Sequence, residues 1–139
     1  DVLMIRESDD VQLDNIARTV IANQTADCHI ALHWDSTSKD KGAFYMSVPN
    51  VASYRNMEPV KSHWQQHNAL GESLVAGLKN AGVKIFSGGS MEMDLTQTSY
   101  STVPSIDIEL GDGGSDHSAA TLDKLGTGLA DGVDAYFGK

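Results

Sequence analysis

The stretch "ADCHIALHWDST", residues 26–37, decides the fold. It is a short apolar run between polar flanks, the pattern of a buried strand. It carries His29 and His33, and His33 is followed at once by Trp34 and Asp35. Immediately upstream, Leu13, Ile16, Ala17, Val20 and Ile21 are spaced as one face of a helix, with Asp9 or Asp10 placed to cap its start. Before that helix, "DVLMIR" (1–6) is an apolar run bounded by "ESDD" and reads as a further buried strand. Strand, helix, strand predicts a parallel crossover. The expected class is therefore α/β, a mostly parallel twisted sheet with helices on both faces. His33 then lies at the carboxyl end of its strand, where open α/β sheets collect ligands and catalytic groups.

The same reading extends downstream. "GAFYMSV" (42–48) is a strand reached through the polar turn "DSTSKDK", and is expected beside the His33 strand. A helix is predicted over roughly 58–80, with Val60, Trp64, His67, Leu70, Leu74 and Leu78 on one stripe and "NAG" (80–82) as its stop. Residues 83–103 give no clear pattern, and "FSGGS" (86–90) reads as a loop. No lysine follows it, as a phosphate cradle would require. In "PSIDIELG" (104–111), Ile106 and Ile108 alternate with Asp107 and Glu109, a strand that runs into the turn "GDGGSD". The last helix sets Leu122, Leu125, Leu129, Val133 and Phe137 on one face, despite three glycines that weaken its propensity. If the two strands share one parallel sheet, His33 and Glu109 open onto the same cleft.

Composition bounds the chemistry. The 139 residues suit one domain, 1–139, with a single core. A formal charge of −9, with ten Lys and Arg scattered along the chain, argues against a nucleic-acid surface, which needs a concentrated basic face. That charge reads as a solvated surface. No apolar run reaches the length of a membrane span, and no basic, apolar, small-residue signal opens the chain. Cys28 is the only cysteine, so an internal disulfide and a cysteine metal cluster are both excluded. A zinc hydrolase needs two or three His, Asp or Glu ligands, an open position for water and a nearby carboxylate. By residue type, His33 suits the ligand and Glu109 the carboxylate. By position alone, His33 reads as a core or hydrogen-bonded histidine, and Glu109 has the plain alternative of a solvated strand-end carboxylate.

The surrounding words are more specific. Arg18 and Asn23 five apart, "IAN" (21–23), "AD" (26–27), "IALH" (30–33) and the glycine-led "GAFYMS" are followed in order by "VPSIDIELG" (103–111), "SDHSAATL" and "LADGVDAYFG". This succession resembles the zinc-dependent N-acetylmuramoyl-L-alanine amidases, the catalytic domains of cell-wall autolysins and phage endolysins. The resemblance implies Zn2+ as cofactor, His33 as a metal ligand and Glu109 as general base and acid. It implies peptidoglycan as substrate, cut between N-acetylmuramic acid and L-alanine, and an extracellular or cell-wall location. It also implies two further ligands, a histidine and a glutamate, upstream of Asp1, so that residues 1–139 would be the C-terminal two thirds of the domain. Ala31 stands where the pattern has serine, Trp34 and Asp35 where it has alanine and asparagine, and Asp112 where phenylalanine is frequent.

The alternative on the same fold is a non-catalytic cell-wall-binding or interaction module without its metal. His63 and His67, four apart in "SHWQQH", read as packing or surface residues. With His29 they are the candidates for replacement ligands. Oligomeric state is left open, although a sheet lacking an outer strand exposes an edge that invites pairing.

Overall fold

The computed structural model describes residues 1–139. Helix α1 (Asn15–Thr25) leads into strand β1 (His29–Asp35) and then β2 (Ala43–Ser47). A short α2 (Ala52–Arg55) and the long α3 (Val60–Asn80) follow, then β3 (Ile85–Glu92), α4 (Thr96–Tyr100), β4 (Ser105–Asp112) and α5 (Ala119–Tyr136). The four strands form one sheet in the order β1-β4-β2-β3. β1 runs parallel to β4 and β2 parallel to β3, while β2 and β4 are antiparallel. The α/β class and the mostly parallel sheet are as expected. β2 is not the neighbour of β1, however, because β4 inserts between them.

Helices α3 and α5 cover one face of the sheet. Its core is Ala43 and Tyr45 from β2, Ile106 and Ile108 from β4, Leu70, Leu74 and Leu78 from α3, and Leu125 from α5. The alternation of a strand then fixes what points the other way. Since Ile30 and Trp34 pack against this core, His29, Ala31 and His33 face the opposite side, and so do Asp107 and Glu109.

The glycines of α5 have a packing reason that propensity conceals. A Cβ on Gly132 would stand 2.7 Å from Leu74 Cα, and one on Gly128 2.8 Å from Leu78 Cα. The two helices touch backbone to backbone there, and Ser73 Oγ donates to the Gly132 carbonyl at 2.6 Å. Gly132→Ala is expected to cost about 1 to 3 kcal/mol by overpacking. Gly126 has open space around it, so Gly126→Ala should stabilise by up to about 1 kcal/mol through helix propensity. Thermal melts of the two variants moving in opposite directions would check this contact.

Several sequence expectations are corrected. "DVLMIR" forms no strand: residues 1–6 join no ladder, and Val2, Leu3 and Met4 are exposed. Apolar character alone does not make a strand without a partner to complete its hydrogen bonds. The cap of α1 is Asp14, whose carboxylate accepts from Ala17 N–H at 2.8 Å, rather than Asp9 or Asp10. α1 buries Thr19 and Ala22 and leaves Ile16 and Val20 exposed, so its apolar stripe is not its packed face. "FSGGS" lies within β3 rather than in a free loop. The register between β2 and β3 jumps from Ala43↔Ile85 to Tyr45↔Ser90, and Ser87 and Gly89 take positive φ at that bulge. Residues 83–103, which carry no clear pattern, contain β3 and α4.

Candidate functional site

His33 and Glu109 are register partners across the parallel β1–β4 pair, on the sheet face that α3 and α5 do not cover. The sequence fixes this through alternation: Ile30 and Ile108 turn to the core and hold their neighbours outward. The side chain of His33 is 43% exposed, and its Nε2 lies 3.2 Å from Oδ2 of Asp107, two residues back from Glu109 along β4. That hydrogen bond raises the imidazole pKa against the opposing effect of burial. Glu109 is half-buried, and its Oε2 is enclosed without a hydrogen-bond partner. Burial lifts its carboxyl pKa, and the Asp107 charge adds to the rise while His33 counters it. Asp107 Oδ1 is likewise enclosed and unpartnered. One imidazole and two carboxylates therefore share a patch, and one of the carboxylates is held toward its neutral form.

The surroundings of this patch come from the loop after β1 and from β2 and β3. Lys41 Nζ bonds Asp35 Oδ2 at 2.6 Å and lies 5.5 Å and 5.2 Å from the ring centres of Phe44 and Phe86. Phe44 is the cross-strand partner of Glu109. Asp112, fully buried, accepts from Thr37 Oγ1 at 2.5 Å and from Lys41 N–H at 2.8 Å. Burial pushes the pKa of Asp112 up, but these hydrogen bonds and the Lys41 ammonium outweigh it and hold the group below its ordinary value. Asp112 thus knits the β4 end to the 36–41 loop, an internal role that phenylalanine could not fill. The Trp34 and His117 rings pack at a 35° tilt with their centres 4.0 Å apart.

The other histidines stand apart. His29 is buried on the same face, four residues back along β1, and burial followed by the Arg18 charge lowers its pKa. His67 is fully buried and accepts from Ser105 N–H at 3.0 Å, at the opposite end of β4 from Glu109. His63 bonds the Pro59 carbonyl at 2.8 Å and stacks on His67. Neither reaches His33, and no three His, Cys, Asp or Glu side chains converge closely enough to hold a metal ion. Sequence reasoning placed His33 and Glu109 together but not the His33–Asp107 bond, nor Lys41 with Asp35 and Phe86. The alternation of Asp107 with Glu109 was a signal for the former; the latter depends on loop packing that has no period.

No protein-family model matches the chain, and no curated protein matches its sequence. Solved structures do. The N-acetylmuramoyl-L-alanine amidase AmiC2 of Nostoc punctiforme superposes with a TM-score of 0.76 at 16% identity, over 99% of this chain and 72% of that one. The N-acetylmuramyl-L-alanine amidase Ami1 from Mycobacterium smegmatis gives 0.71 at 16% identity, over 88% and 59%. Ami1 from Mycobacterium abscessus gives 0.65 at 17% identity, over 86% and 59%. The aligned part of this chain spans 59% of each Ami1 chain's length. With its sheet order, its helical layer and this match, the chain has the fold of the N-acetylmuramoyl-L-alanine amidase catalytic domain.

Proposed function

We propose that residues 1–139 are the C-terminal two thirds of an amidase catalytic domain that hydrolyses peptidoglycan between N-acetylmuramic acid and L-alanine, at the cell wall or outside the cell. The observation that carries the reading is the register pairing of His33 with Glu109 on the open face of an amidase fold. In this reading Glu109 takes the proton of the attacking water and returns it to the leaving amine, a task suited to a half-buried carboxylate near one hydrophobic wall. Asp107 orients the His33 ring through its 3.2 Å bond.

Zinc in such hydrolases lowers the pKa of a bound water and polarises the amide oxygen. A zinc site takes at least three protein donors. The residues present do not meet that requirement by themselves: His33 offers one imidazole, its Nε2 already hydrogen-bonded to Asp107, and no three-donor group exists. His33 is therefore proposed as a single ligand, the others lying outside residues 1–139. Equilibrium dialysis against zinc should leave the 139-residue chain essentially metal-free and load the full-length protein with one zinc per chain, lost in His33→Ala. Full zinc retention in His33→Ala would remove that residue from the ligand set.

The same missing donors favour a second reading, a wall-binding or interaction module on the amidase fold. Full-length protein that sediments with purified sacculi, holds no zinc and releases no stem peptide would establish it.

A further inference from the structure

We propose that Arg6 and Arg18 form a subsite for a peptide carboxylate. The chain has three arginines and a net charge of −9, yet two of the three line one cleft of about 250 Å3, together with Asp9, Val11, Gln12 and Leu13. Neither guanidinium is ion-paired, since the three salt bridges of the molecule involve only His33 and Lys41 with Asp35, Asp107 and Asp112. Each makes one hydrogen bond, to a neutral oxygen: Arg6 to the Asp9 carbonyl at 2.9 Å, and Arg18 to the Asn15 side-chain amide. A guanidinium carries five donors in a planar fork matched to a carboxylate. Each keeps donors that make no hydrogen bond within the protein.

The cleft lies between the segment that precedes α1 and Arg18 of α1. Asp9 is the only acidic side chain lining the cleft, so the lining keeps a net positive charge. Val11 and Leu13 give it an apolar side. Two guanidiniums with an apolar wall suit an acidic peptide: the fork takes the carboxylate and the wall takes the aliphatic stem. The choice of a muramoyl peptide as probe rests on the peptidoglycan reading, in which the stem begins with L-alanine at the cut amide. The fit to an acidic peptide as such does not.

Calorimetric titration in the Glu109→Gln background, where turnover is slowed, tests the subsite with two probes. These are N-acetylmuramoyl-L-alanyl-D-glutamate and the same molecule with both glutamate carboxyls amidated. The acid should bind about tenfold more tightly than the amide, as charge-assisted bonds to two guanidiniums require. Arg18→Met and Arg6→Met should each weaken the acid about tenfold and leave the amide unchanged. Arg18→Lys should fall between, keeping charge without the fork. Asp9→Asn should tighten the acid by removing the opposing charge. Unchanged melting temperatures show that the variants fold. Equal affinity for acid and amide, or acid binding indifferent to both arginines, would overturn the subsite. Displacement by inorganic phosphate as effective as by the acid would overturn the carboxylate assignment. The sugar-free N-acetyl-L-alanyl-D-glutamate separates the two readings: arginine-dependent binding of this acid by a protein that does not cut peptidoglycan keeps the subsite and rejects the amidase.

Discussion

Glu109→Gln in the full-length protein is expected to slow the release of stem peptides from peptidoglycan by about 10²- to 10⁴-fold, the usual contribution of a positioned general acid–base group. The substitution keeps the shape of the side chain, and Glu109 Oε2 has no hydrogen bond to lose. The fold should therefore be untouched, and melting temperature and zinc content should match the parent. Asp107→Asn is the informative comparison. Asp107 touches His33 rather than a substrate atom, so its loss should free the ring without removing the base. Greater loss of activity in Asp107→Asn than in Glu109→Gln would transfer the role of base to Asp107.

The second large effect concerns stability. His67 is fully buried, and desolvation, with a smaller contribution from the His63 charge, lowers its pKa to about 4. An unfolded histidine titrates near 6.5. Between those values the unfolded chain binds a proton that the native chain refuses, so stability rises with pH across this window and is fully present above it. Acidification from about pH 6.5 to 4 should cost roughly 3 kcal/mol from this residue, taking about 1.4 kcal/mol per pKa unit. Denaturant melts at both pH values measure the loss. His67→Gln, which keeps an acceptor for Ser105 N–H without a titrating ring, should flatten the dependence. His67→Leu should flatten it too but lower stability at neutral pH by about 1 to 3 kcal/mol, because the Ser105 N–H is left buried and unpaired. A pH dependence unchanged in both variants would show that His67 is not its source.

What the sequence revealed, and what it hid, follows physical lines. Strands β1 and β4 were legible because Ile30, Ile106 and Ile108 alternate with polar residues, and that alternation alone turns His33 and Glu109 to one face. α3 was legible from Val60, His67, Leu70, Leu74 and Leu78, all buried on one stripe. The false strand at residues 1–6 and the misjudged face of α1 share a cause: apolar side chains there remain exposed, and periodicity reports composition rather than what covers it. β3 was missed because its bulge at Ser87 and Gly89 breaks the period of two. The bond from His33 to Asp107 depends on strand register, and the Lys41 contacts depend on how two loops meet. Neither quantity leaves a periodic trace in the chain.

The measurement closest to the central claim is the chemistry of the new chain ends after the full-length protein has acted on purified peptidoglycan. An amidase with Glu109 as its base liberates the α-amino group of L-alanine, creates no new reducing sugar, and loses this activity in Glu109→Gln. New reducing ends, or alanine amines released equally by parent and variant, would contradict the account.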